Sequence, residues 1–154
     1  MKKLVIALLI AIGAILIICA VFLHITGASA VFLEPLLKTK ADVSNVEITL
    51  AETNEYTEDE LNSAAQALKT HFSKQKNLAL NKIWYTDEEC LPIVEEYKER
   101  YKEKTIVLKA EFTTDEKEWH AEHGFDPNTT YGWCYLLTQN QDGTWTKTNY
   151  YGVW

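Results

Sequence analysis

Apolar and polar positions divide the chain into stretches of different period. From Leu4 to Ile25 the sequence LVIALLIAIGAILIICAVFLHI runs for 22 positions without a formal charge, and His24 is its one clearly polar side chain. As a helix this run would be roughly 33 Å long, enough to cross a hydrocarbon core of ~30 Å. Residues 31–55 form a polar transition, with a short alternation at Val46-Glu47-Ile48-Thr49-Leu50 that reads equally as a strand or as linker. Thr57 and Glu60 then make a capping box, and Glu58 and Asp59 fill the first turn, where the helix dipole favours them. Leu61, Ala64, Ala65, Leu68 and Phe72 recur at helical spacing, which predicts a helix over 57–74 with a narrow face of mainly small residues.

Leu78 to Tyr85 alternates and predicts a half-buried strand. Thr86 and Glu89 repeat the capping signature, followed by a second stripe at Cys90, Ile93, Val94, Tyr97 and Tyr101. Pro92 interrupts it. A proline there removes a ladder hydrogen bond at a cost of up to ~3 kcal/mol, so either the first turn is distorted or the regular helix starts near Pro92. Thr105 to Phe112 predicts a strand with Leu108, Ala110 and Phe112 on one face. After a polar stretch, Tyr131 to Thr138 predicts another, with Trp133, Tyr135 and Leu137 opposite Cys134 and Leu136. Asn140-Gln141-Asp142-Gly143 supplies a turn, and Trp145 to Trp154 returns as the hairpin partner. The order predicts an α+β fold, two helices packed on a curved antiparallel sheet that leaves a pocket, and not a βαβ series. The expected organisation is a membrane anchor or signal at 1–30, a linker at 31–55 and the folded domain at 56–154.

Charge adds a direction. Lys2 and Lys3 precede the apolar run and the next basic residue is Lys38, so the positive-inside bias keeps the N-terminus cytoplasmic and sends the rest of the chain outside the cell membrane. Ala28-Ser29-Ala30 is a small-x-small site, and cleavage after Ala30 would release a secreted domain. The apolar run exceeds the usual signal centre of about 7–15 residues, so a retained anchor is the expectation. Cys19 loosely fits a lipidation box. Bulky Ile18 and the apolar AVFLHI that follows favour a plain apolar side chain inside the helix instead. Beyond the anchor, 13 basic against 22 acidic residues leave a formal −9. That charge, the lack of a glycine-rich phosphate loop, and the glutamates flanking Tyr97-Lys98-Glu99-Arg100-Tyr101-Lys102 argue against nucleic acid as a partner.

The segments FSKQKNLALNKIWYTDEE, KTIVLKAEFTTD and PNTTYGWCYLLTQNQDGTWTKTNYYGVW together resemble an uncharacterised family of Firmicutes extracytoplasmic domains with the cone-shaped α+β fold of the nuclear transport factor two superfamily. The resemblance covers about residues 56–154 and rests on Ile83-Trp84-Tyr85, Val107 to Phe112, Tyr131-Gly132-Trp133, and Gly143-x-Trp145 with Gly152. The ending Asn149-Tyr150-Tyr151-Gly152-Val153-Trp154 departs from the family's usual acidic-Trp-Gly-aromatic close. The resemblance implies a fold and an extracytoplasmic habitat, and it brings no catalytic residue, since folds of this kind carry enzymes and binding modules alike.

Several side chains are candidates for chemistry. His71 lies on the stripe of the first helix and could face a pocket as a base; a core-edge imidazole is the plainer role. His120 and His123, spaced i,i+3 near Glu116, Glu118, Glu122 and Asp126, could share a face and ligate a metal, although the segment also reads as a solvated acidic loop. Asp126 and Asp142 sit in turn sequences first. Trp84, Tyr85, Trp133 and Tyr135, with Trp145, make an aromatic-rich sheet; those not needed for the core would form a ligand surface. Cys90 and Cys134 could form one disulfide or pack as buried thiols. No cofactor is indicated. The expectation is a membrane-held domain, anchored through residues 4–25, that binds a small hydrophobic molecule, a peptide or an envelope protein. The alternatives are a small pocket enzyme using His71 or a carboxylate, and a structural or assembly module.

Overall fold

The computed structural model describes residues 40–97, 99–116 and 124–153. The apolar run 4–25, Cys19, the site after Ala30, and His120 and His123 lie outside the described residues. Among the described residues no helix is long and apolar enough to cross a membrane.

Five strands form one sheet in the order β1 (Glu47–Leu50), β2 (Leu78–Tyr85), β3 (Thr105–Thr114), β4 (Thr130–Gln139), β5 (Trp145–Val153). The chain is therefore α+β, with helices α1 (Glu58–Ser73) and α2 (Asp87–Tyr97) on a mixed sheet. β1 runs parallel to β2, and every later pair is antiparallel. The wholly antiparallel sheet expected from the sequence is corrected here: β1, α1 and β2 make one crossover unit, as parallel neighbours require. The domain also begins earlier than residue 56. Asp42 donates to the Leu78 carbonyl and accepts from the Leu80 amide, both at 2.9 Å, and Ala41 is buried. Residues 40–51 thus bond to the sheet, and the short alternation at 46–50 forms strand β1 within the expected linker.

α1 starts where its cap demands. Thr57 Oγ1 accepts from the Glu60 amide and the Thr57 amide donates to the Glu60 carboxylate, so two otherwise orphaned donors are satisfied. Ala64, Ala65 and Leu68 are fully buried, and their small volume lets the helix lie close to the strands. Phe72 reaches Phe112 at 5.5 Å and Tyr135 at 5.3 Å between ring centroids. By cross-strand register, Phe112 faces the same way as Leu108, Ala110, Trp133, Tyr135 and Leu137. α1 covers this side.

α2 covers the other side. Its Glu89 accepts from Trp84 Nε1 at 2.9 Å and from Lys109 Nζ at 2.7 Å, and both of those residues alternate away from the α1 face. Val107, Cys134 and Leu136 share their orientation and are buried. The two helices therefore sandwich the sheet. Pro92 sits inside regular helix, a further difference from the expected start or distortion at that point. Pro92 and Glu88, whose carbonyl loses its donor, are both exposed, so water can replace the missing bond.

Cys90 and Cys134 are buried free thiols, which corrects the disulfide alternative. They pack as small hydrophobes between α2 and β4. Burial pushes the Cys90 thiol up to about 12 and raises Cys134 as well, so neither offers the thiolate that exchange chemistry needs.

Candidate functional site

On the α1 face the aromatic side chains outrun what the helix can cover. β3 and β4 contribute Phe112, Trp133 and Tyr135; the last turn of α1 contributes His71 and Phe72, and Gln75 follows just past its C-cap; β5 adds Lys147 and Tyr150. Together with Leu78 and Phe125 they line a cavity of about 210 Å³. Tyr150 is the most exposed large hydrophobic among the described residues, at 53%, and it stacks on Trp133 with centroids 4.8 Å apart and planes 24° apart. Phe125 closes the opposite flank at 5.2 Å from Trp133 and 5.4 Å from Phe112. Its loop is pinned by local bonds. Thr114 Oγ1 donates to the Asp126 carbonyl at 2.6 Å and the Asp126 amide donates to Tyr131 Oη at 2.8 Å. Gly124 just before it takes a positive φ of 74°, a conformation that a side chain would strain.

The polar groups around this cleft are basic or neutral. Burial, then the charges of Lys147 and Lys74, hold the His71 imidazole below its ordinary value of 6.5, so it is neutral at pH 7. Among the described residues no carboxylate bonds to it, and none lines the cleft. Burial also lowers the Lys147 ammonium, which sits 4.9 Å from the Tyr150 ring centroid. Trp133 Nε1 is buried and has no hydrogen-bond partner among the described residues. Such an orphaned donor is uncommon, since most buried polar groups are paired.

The four aromatic candidates separate. Trp133 and Tyr135 line the cleft. Trp84 lies on the α2 face, where Lys82 and Lys109 approach its ring at 5.9 and 5.5 Å. Tyr85 is core: it is fully buried, edge-on to Tyr56 at 5.7 Å, and its hydroxyl donates to Asp87 at 2.7 Å. Asp142 holds a turn, accepting from the Thr144 amide and hydroxyl, and the Asp126 backbone is bonded to Thr114 and Tyr131. Among the described residues no three metal-ligating side chains cluster. Sequence reasoning missed Phe125, Lys147 and Tyr150. Phe125 falls in a stretch that reads as polar loop. Lys147 offered one legible signal, a cation two residues from Trp145 on an otherwise aromatic hairpin strand.

No protein-family profile matches the chain, and no curated protein or solved structure is significantly similar to it.

Proposed function

We propose that this chain is an extracytoplasmic binding domain, held at the cell membrane by residues 4–25, whose aromatic cleft takes a small apolar molecule. The cleft itself carries the reading: an open slot walled by Phe112, Phe125, Trp133, Tyr135 and Tyr150, on a rigid sheet. Pockets of this make, mostly apolar with a few polar groups, suit recognition. Turnover by His71 needs a partner to orient it and to move a proton, and among the described residues the lining offers no carboxylate for that role. The resemblance to Firmicutes extracytoplasmic domains supports the habitat, and α1 lying over an aromatic sheet face agrees with its cone. α2 on the opposite face is the point of departure from that cone.

The test uses the full chain in lipid nanodiscs, with saturation-transfer spectra of one- and two-ring aromatic probes read against empty discs. At least one probe binds, and Tyr150→Ala weakens it, while Trp84→Ala on the other face does not. No probe above the empty-disc signal, or equal loss from both substitutions, removes the reading. Orientation is checked by adding protease to intact cells expressing the chain; a domain that stays protected contradicts the external placement.

A peptide-binding reading has its own support. Edge strand β1 borders a groove of about 700 Å³ whose lining includes Ile48, Leu50, Tyr56, Leu61, Glu52 and Glu58. An extended basic peptide could add to that edge. Binding of a lysine-rich peptide that Glu52→Lys weakens carries this second reading, and an unchanged affinity dismisses it.

A further inference from the structure

The cleft's size and charge define what it would hold more narrowly than an apolar molecule. Its volume of about 210 Å³ lies under the ~300–1,000 Å³ typical of pockets for drug-sized ligands, so the occupant is a one- or two-ring body. The stacked pair Trp133 and Tyr150 favours a flat one.

Aromatic walls alone would also suit a quaternary ammonium. The charges decide against that. Among the described residues no acidic side chain lines this cleft, while Lys147 and His71 both do. A cation entering would meet the Lys147 ammonium, with no counter-charge beside it among the described residues. Lys147 has no ion pair among the described residues, in contrast to Lys82, Lys104 and Lys109, each of which meets a glutamate. The Lys147 ammonium and a neutral imidazole next to flat apolar walls form a receptor for an acceptor-bearing anion. One lysine without an arginine fork matches a single carboxylate better than a phosphate dianion.

We infer that the cleft binds a small aromatic monocarboxylate, its ring seated against Trp133 and Tyr150 and its carboxylate met by Lys147. This rests on the binding reading of the same cleft, and the experiment separates the two. Calorimetry on the full chain in nanodiscs, with empty discs subtracted, compares indole-3-acetate, its uncharged amide indole-3-acetamide, and tetramethylammonium. The carboxylate binds about tenfold tighter than the amide, the size of one charge-assisted bond. Lys147→Met brings that ratio close to one, and Lys147→Arg restores most of it. Equal affinity of carboxylate and amide in the unmodified chain overturns the anion inference and leaves the cleft reading standing. Preference for tetramethylammonium overturns it in favour of a cation cage. Failure of both indole probes overturns the inference, and the wider aromatic panel then decides whether the binding reading falls with it.

Discussion

The two faces of the sheet use similar residues to opposite ends. Under α2, Lys109 is 9% exposed, lies over Trp84 and is held by Glu89 at 2.7 Å. Under α1, Lys147 lies over Tyr150 beside Trp133, and among the described residues no carboxylate completes the set. The difference comes from what each helix brings. α2 delivers Glu89 from its first turn, directly above the lysine, and satisfies Trp84 Nε1 with the same carboxylate. α1 brings His71 and Phe72 to this end of the sheet, and Gln75 follows its C-cap; they narrow the cleft without neutralising it. A cation and an indole donor are thus a finished structural contact on one side and an unfinished one on the other. Unfinished contacts in a preformed pocket are where a ligand gains binding free energy, because the groups are already held in place and less ordering is lost on binding.

Core truncation puts the largest strain on this comparison. Phe112→Ala, under α1, should cost about 3–5 kcal/mol and Leu136→Ala, under α2, about 2–5 kcal/mol, both read by urea denaturation. A loss under ~1 kcal/mol for Leu136→Ala would mean that the α2 side is not a closed core.

The lysines sharpen it next. Lys109→Met removes a charged bond to Glu89 and should lower stability by about 1–2 kcal/mol. Lys147→Met should change stability by no more than ~0.5 kcal/mol, because the ammonium it removes is partly desolvated and bonded to no carboxylate. Equal losses would make Lys147 a structural residue, and the contrast between the faces would be gone.

pH separates the faces by window. Lys109 first, then Trp84 Nε1, hold the Glu89 carboxyl below its ordinary 4.5. Its contribution is complete above pH 4.5 and is lost as pH falls through the lowered folded value. His71 is also lowered, from 6.5, so the unfolded chain binds its proton first and stability starts to fall below pH 6.5. His71→Gln should flatten the stability profile just below pH 6.5 and Glu89→Gln the profile below 4.5, as measured by melting temperature across pH. Interchanged windows would contradict both assignments.

The smallest effect concerns the thiols. Cys90 and Cys134 should stay unlabelled by a disulfide reagent in the native chain and react fully once urea unfolds it. Rapid native labelling would show the α2 interface to be open.

Local chemistry is what the sequence settles here. The capping box at Thr57, the helical stripe through Phe72, the alternation of Leu78 to Tyr85 and the Asp142-Gly143 turn each depend on neighbours a few residues apart, and each appears at its expected place. Burial of Cys90 and the opposite orientation of Trp133 and Cys134 were legible for the same reason. Decisions over long separations were not. The side of the sheet a helix takes, the parallel pairing of β1 with β2, and the convergence of His71, Phe125, Lys147 and Tyr150 on Trp133 are set by register and crossover. Those cost loop-closure entropy and are recovered only when distant apolar surfaces meet, so no short window of sequence records them. Alternation could say that Trp84 and Trp133 each project from a strand. Only the tertiary structure decided that one would meet a glutamate and the other an open cleft.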